Sequence, residues 1–494
     1  MAEADRSAGL GRAAARGGAL TLGAQLVRAL IQAAALIVLA RLLAPADFGI
    51  LAMVVAIVGL GELVRDLGLS NAAIQAPSLT RGQRDNLFWT NLGLGLVFGL
   101  ALFALAPLLA TFYDTPAVTD VARWLALTFL INGFAAQYRA NLLREMKFGV
   151  NALLDVLSAA GALGVAVAAA TNGGGIWALV AQELTRCVLL ATGLVVVSRW
   201  LPGLPRKGES IRSFVRYGIH LVGTQLLGYA SRNVDTVVLG ARFGAVISGL
   251  YSRAYQLMAL PITQLSHPTT KVALPVLSRL NDEPRRYQDF LLRGQTLLLH
   301  LLAPAFTLCI MLAEPVVLIA LGPQWSEAAS ILRILAIGGI FEAAAFASTW
   351  VFLSKGATAA QLRFTLVTRP VIIVTIVVAS RWGPEAVAAA YAAGTALTWP
   401  LGLWWIRRHT DAPAGPLLRN GARALVGYGC AGAAAWALTT WISPPAMWFQ
   451  ALLGIACLVA TTSLVVLVWP RFRADLRTVL ASRKLLRAPH RPKE

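Results

Sequence analysis

The sequence predicts an all-α polytopic membrane protein with about fourteen transmembrane helices: two six-helix lobes related by a parallel internal repeat, plus two C-terminal helices. Three observations predict it. Hydrophobic residues make up 57% of the 494 positions and charged residues only 13%, whereas a soluble domain carries about a quarter charged. The apolar residues fall into stretches of about 20, the length that crosses a hydrocarbon core as a helix. Basic residues then fill alternate gaps between those stretches.

Taken in order, the first six spans are 18–43, 48–69, 88–109, 121–140, 150–170 and 176–197. The second six are 217–239, 250–274, 290–321, 331–352, 364–380 and 387–405, and two more, 425–441 and 449–468, close the chain. Residues 88–109, 176–197, 425–441 and 451–468 are the least interrupted by polar groups. The first span follows Arg6, Arg12 and Arg16 and so imitates a secretory signal, but its length and its Gln25, Arg28 and Gln32 mark a permanent helix. The longest gaps, near 199–214, 280–290 and 407–420, are too short to fold alone. The expected organisation is an N-terminal tail 1–17, an N-lobe 18–205, a C-lobe 206–406, two added helices within 407–470, and a basic tail 471–494.

The gaps also set orientation. With the amino terminus inside, the inner gaps hold Arg81 and Arg84; Arg139, Arg144 and Lys147; Arg199, Arg206 and Arg212; Arg279, Arg285 and Arg286; and Arg407, Arg408, Arg419 and Arg423. The opposite gaps 112–118, 171–175, 322–328 and 443–446 contain no Lys or Arg. Cytoplasmic loops attract Lys and Arg, so both termini are expected in the cytoplasm of a bacterial inner membrane. Arg41, Arg123, Arg242 and Arg381 fall near outer ends; Arg41, Arg123 and Arg242 read as interfacial anchors. A net charge of +20 distributed in this way points to anionic inner-leaflet lipid rather than nucleic acid.

A shift of 200 residues lays span one on span seven. Gly23-Ala24-Gln25-Leu26 meets Gly223-Thr224-Gln225-Leu226, and Gly49 meets Gly249. The offset spans six helices, an even number, so the halves share one orientation. Parallel repeats of this kind place a substrate site between the halves.

Ionisable groups within spans are costly and ordinarily face a bundle interior or an aqueous cavity. Arg28 and Gln32 share a face of span one with Gln25 a turn earlier; span two carries Glu62, Arg65 and Asp66. Span seven carries Gln225, Arg232, Asn233 and Asp235, and span eight carries Arg253, Gln256 and Lys271. Further polar groups are Asp155, Glu183 with Arg186, His300, Arg333 and Glu342. The pairs Glu62–Arg65, Glu183–Arg186 and Arg232–Asp235 stand at i,i+3 and fit neutral structural pairs as well as a transport role. Arg28 has no carboxylate at helical spacing and is assigned to a cavity. Lys271 can snorkel to the inner surface.

The functional expectation is a cation-rich pocket that receives an anion. Arginine forks match phosphate or diphosphate, and Gln25, Gln32, Gln225, Asn233 and Gln256 offer donors and acceptors for sugar hydroxyls. Arg28, Arg232 and Arg253 are the expected substrate cations, with Glu62, Asp66 and Asp235 as candidate coupling or gating carboxylates. Cys187, Cys309, Cys430 and Cys457 lie in spans as small hydrophobes. No metal or cofactor motif stands out.

Several stretches resemble the polysaccharide transporter family of the multidrug/oligosaccharidyl-lipid/polysaccharide (MOP) flippase superfamily. They are 39–49 (LARLLAPADFG), 66–75 (DLGLSNAAIQ), 231–242 (SRNVDTVVLGAR), 251–261 (YSRAYQLMALP), 272–280 (VALPVLSRL) and 321–337 (LGPQWSEAASILRILAI). The last two spans and the tail lack a matching motif. The resemblance implies a two-lobed fold and movement of a polyprenyl-diphosphate-linked oligosaccharide across the inner membrane by alternating access. It implies that the protein serves exopolysaccharide, capsule or lipopolysaccharide synthesis beside a polymerase and glycosyltransferases, as a monomer. Two rivals share the superfamily: a cation-coupled multidrug exporter and a peptidoglycan-precursor flippase. A membrane-embedded glycosyltransferase or polymerase would need a catalytic base or metal carboxylates on a sizeable loop, and the outer gaps are short. The expectation is therefore not an enzyme.

Overall fold

Prolines open several of the helices, since at the first position their missing N–H is not needed and their fixed φ is already helical. A computed structural model of the chain describes residues 23–76, 78–206, 208–442 and 446–487. The expected N-terminal tail, the first residues of span one and the last residues of the basic tail lie outside the described residues. Contacts divide the chain into two units, one ending at Ser252 and the next beginning at Arg253.

The first unit contains α1 (Gly23–Leu42), α2 (Pro45–Asp66), the short α3 (Leu69–Gln75), α4 (Arg81–Phe112), α5 (Ala117–Arg144), α6 (Phe148–Thr171) and α7 (Ile176–Ser198). It ends within α8 (Arg212–Arg279). Asp47 accepts from the Ala44 backbone N–H at 3.0 Å and so fastens the entry to α2. Thr80 and Gln83 form a reciprocal capping box at the start of α4. The core of this unit gathers Met53 and Val54 of α2, Leu102 and Ala106 of α4, Val121, Leu125 and Phe129 of α5, and Val180 of α7. A second cluster stacks Phe88, Tyr138 and Trp200 edge to face. The connector after α7 is strapped to α4: Asn86 Nδ2 donates to the carbonyls of Arg206 and Glu209 at 3.0 and 2.8 Å, and Trp89 Nε1 donates to Gly203 O at 2.8 Å.

Spans seven and eight, expected as separate helices, are the two arms of α8. A break at Gly244 (φ 76°, ψ −170°), a conformation essentially restricted to glycine, divides it. Beyond the break, Gly249 meets Gly49 of α2. A Cβ added at Gly49 would lie 1.7 Å from Ala245 O, and one at Gly249 would lie 1.9 Å from Pro45 O. The two helices therefore touch backbone to backbone at the positions that the 200-residue offset equates.

The second unit holds the rest of α8, α9 (Pro284–Met311), α10 (Ala313–Ala320), α11 (Ala328–Ser354), α12 (Thr358–Ala379), α13 (Pro384–His409), α14 (Ala414–Ile442), α15 (Met447–Val468) and α16 (Pro470–Arg487). Two polar ties close it. Asn420 of α14 donates to Gln295 Oε1 of α9 at 2.9 Å, and Arg423 makes a bidentate pair with Asp475 of α16. Phe472 is fully buried against Tyr428 and His300. The first part of the expected tail is thus a helix docked on α9 and α14.

Among the described residues no strand occurs, and twelve helices are long and apolar enough to cross a membrane. The count differs from fourteen for two reasons. The two arms of α8, divided at Gly244, count together as one of the twelve, and α5, though helical throughout its expected span, is not among them. Its Asn132, Gln137 and Arg139 lower its hydropathy, and Asn132 and Arg139 are drawn into the site described next.

Candidate functional site

Arg28, Arg65, Arg139 and Arg186 of the first unit are held by pairs and one shared acid. Asp155, one turn beyond Asn151 on α6, accepts from Arg139 Nη2 of α5 through both oxygens, at 3.1 and 2.9 Å. Asn151 Nδ2 donates to the same carboxylate at 3.3 Å, and Arg28 Nη1 of α1 stands 3.8 Å from Asp155 Oδ2. One carboxylate thus serves two guanidiniums. The Asp155 side chain is 15% exposed, against 47% for Arg28 and 40% for Arg139. The acid is held inside while both cations keep an open face. Asp155 lies seven residues into α6, about 10 Å from the helix start at 1.5 Å per residue, within a helix long and apolar enough to cross a membrane.

Two neutral pairs stand alongside. Arg65 Nε donates to Glu62 Oε2 at 2.6 Å, and Asn132 Nδ2 of α5 donates to Glu62 Oε1 at 2.8 Å. Arg186 pairs with Glu183 on α7 through both nitrogens. Asn132 and Arg139 both lie on α5, and α7 packs against both α5 and α6, which brings the pairs alongside the triad. Four guanidiniums face three carboxylates there, which leaves one positive charge over, and the more exposed cations belong to the triad. Asp66 instead accepts from Ser70 Oγ at 2.5 Å.

The i,i+3 spacing correctly pairs Glu62 with Arg65 and Glu183 with Arg186, but it fails for Arg232 and Asp235. Asp235 is buried, takes the Thr236 backbone N–H at 2.7 Å and has Tyr251 beside it. Arg232 is exposed, next to Tyr229, and makes no ion pair with a described residue. Tyr229 Oη donates to Val55 O at 3.2 Å and so links α8 to α2; Asn233 Nδ2 is spent on the Tyr229 carbonyl at 2.9 Å. Gln25 and Gln225 are half-buried and Gln32 is exposed. Arg253 and Gln256, both half-buried, belong to the second unit. There Tyr391 donates to Glu342 Oε2 at 2.7 Å.

Arg139, Asn132 and Asn151 were not among the expected site residues. Whereas α5 continues to Arg144, Arg139 stands one residue from the end of the expected span 121–140 and so counts there with the inner-gap cations. Its lone charge among Tyr138, Ala140 and Asn141, within α5, is the signal that could have placed it. The chemistry of the assembled group is anion capture: planar forks with open faces can exchange a shared carboxylate for the oxygens of a phosphate or diphosphate. Among the described residues no group of three His, Cys, Asp or Glu is arranged to hold a metal.

The family model described as polysaccharide biosynthesis protein matches residues 38–330. The succinoglycan biosynthesis transport protein ExoT of Rhizobium meliloti is 28% identical over 301 residues, which cover 61% of this chain and 61% of that relative. The chain thus spans about three fifths of the relative's length in the match. Among solved structures, the lipid II flippase MurJ in an inward closed conformation superposes with a TM-score of 0.70 at 12% identity, covering 91% of this chain and 98% of that one. A multidrug resistance MATE family transporter of the MOP superfamily, in its inward-facing conformation, gives 0.58 at 16% identity over 81% of this chain and 98% of its own. At these identities the two structures establish a shared fold.

Proposed function

From the premise that the chain belongs to the polysaccharide biosynthesis protein family, we propose that it is a transporter of the MOP superfamily and carries a polyprenyl-diphosphate-linked oligosaccharide across the bacterial inner membrane. The movement is alternating access between two lobes, 18–205 and 206–406, with Arg28, Arg139, Arg232 and Arg253 presented to the diphosphate. Gln25, Gln32, Gln225, Asn233 and Gln256 meet the sugar. The observation that carries this reading is the Arg28–Asp155–Arg139 triad: two half-exposed guanidiniums share one acid, so both forks keep a face open to the oxygens of a diphosphate. The relative named for succinoglycan transport supports a sugar polymer precursor, and the fold supports transport rather than enzymology. Both termini are cytoplasmic in this reading, which rests on the basic residues of alternate gaps and on the preference of Lys and Arg for cytoplasmic loops.

Cell-surface polysaccharide in a strain lacking the native gene tests the proposal. Arg28→Ala and Arg139→Ala, singly and together, are expected to reduce polysaccharide to background while membrane-inserted protein stays at wild-type amount. Normal export by the double variant would remove the charged site from the mechanism. Efflux of lipophilic dyes, lost on Asp66→Asn, would favour the multidrug exporter instead.

A further inference from the structure

A groove of about 430 Å³ opens between α4 and α5 on the first unit, away from the charged cluster, and its chemistry changes along its length. Because α4 runs toward the turn at residues 113–116 and α5 runs away from it, Phe103, Asp120, Arg123 and Trp124 lie at the turn end. Leu96 and Leu130 lie deeper, about 15 Å along α5 from Asp120 to Leu130 at 1.5 Å per residue. The floor is Gly95 and Gly99, where the helices come so close that a Cβ at Gly95 would lie 2.5 Å from Phe129 O. The walls are leucines. The mouth is charged, and the tail end is purely apolar.

The two charges at the mouth are not spent on each other. Asp120 and Arg123 stand three apart on one helix face, yet they form no ion pair. Asp120 is exposed and has no partner among the described residues. The Arg123 guanidinium lies over the Phe103 ring at 5.1 Å, and its Nε is buried without a hydrogen-bond acceptor. Trp124 meets Trp177 edge to face at 6.5 Å. Tryptophans at a helix end mark headgroup depth, so the two unspent charges sit level with lipid headgroups and the leucine walls lie level with acyl chains.

We propose that this groove is a binding site for one zwitterionic aminophospholipid of the leaflet at that surface. Its phosphate sits on Arg123, its ammonium on Asp120, and one acyl chain lies along Leu100, Leu127 and Leu130. An anionic glycerol headgroup would satisfy Arg123 and leave Asp120 opposed. A polyprenyl diphosphate would add a second negative charge beside that carboxylate. Free phosphate would leave the leucine walls uncovered. Only a headgroup with both signs, on a hydrocarbon chain, completes every group in the groove. The site does not depend on what the protein transports.

Native mass spectrometry of the full-length protein, titrated with phosphatidylethanolamine, phosphatidylglycerol and a polyprenyl diphosphate, tests it. The wild type is expected to retain phosphatidylethanolamine over phosphatidylglycerol by roughly tenfold, the scale of one charge-assisted contact. Arg123→Ala is expected to lower that retention by a similar factor. Asp120→Asn, which leaves packing untouched, is expected to make the two phospholipids equal, and Leu127→Trp, which fills the groove, to release both. Equal retention of the two phospholipids by the wild type would overturn the proposal. So would unchanged retention in Arg123→Ala, or displacement of the phospholipid by the polyprenyl diphosphate.

Discussion

At the scale of single residues, what a charge does in this protein depends on how far it is enclosed. Arg65 is 6% exposed and depends on Glu62 for its neutralisation, whereas Arg28 is 47% exposed and touches Asp155 only at 3.8 Å. The two should respond differently to loss of a partner. Breaking a buried pair by removing one member costs about 3–5 kcal/mol, because the remaining charge is stranded. Glu62→Gln is therefore expected to lower the melting temperature and the amount of protein in the membrane, with export falling in proportion. A variant that melts like the wild type and yet fails to export would make Glu62 a coupling carboxylate rather than a counter-ion. The pairing of Glu62 with Arg65 was legible, because residues three apart on a helix must be neighbours. The same rule misjudged Arg232 and Asp235, since spacing brings side chains near each other without obliging them to turn together. Asp235 faces inward to Thr236 and Arg232 faces outward. Arg139 and Asp155 were not legible as partners, because they lie on separate helices and meet only once α5 and α6 fold back on each other.

At the scale of helices, close approach carries the architecture. The weak repeat at 200 residues equates Gly49 with Gly249, and these two glycines let α2 and α8 meet without side chains between them. Any larger residue at Gly49 must push the helices apart, since its Cβ would overlap the Ala245 carbonyl oxygen. Gly49→Val is expected to lose most folded protein. Gly93→Ala is a matched control: a Cβ there meets nothing within 4 Å, and the change should stabilise α4 by about 0.5–1 kcal/mol through helix propensity. Thermal melting in detergent separates the two outcomes, and a Gly49→Val protein that melts like the control would show that the contact is dispensable. Helix existence was readable because hydropathy sums over about 20 residues. The break within α8 was readable too, because the polar, glycine-containing gap between spans seven and eight brackets Gly244, where the backbone leaves the helix. The docked helix α16 was read as a tail because its basic residues hide a single buried anchor, Phe472.

At the scale of the molecule, twelve apolar helices among the described residues make a multi-pass membrane protein, and the fold is shared with MurJ and with a MATE family protein. The class was plain from composition and the alternation of basic gaps, because both are bulk properties that need no contact to be known. The site was half plain. The sequence pointed to arginines inside spans, and the arrangement added the shared acid that keeps two of them open. Transbilayer movement in proteoliposomes measures the proposed activity without the rest of the export pathway. A labelled polyprenyl-diphosphate disaccharide is placed on one face, and its accessibility to a membrane-impermeant enzyme is followed with time. Wild-type protein is expected to equilibrate the lipid between leaflets, and the Arg28→Ala/Arg139→Ala protein, inserted to the same level, is expected to leave it where it began. Equal rates for the two proteins would contradict the account.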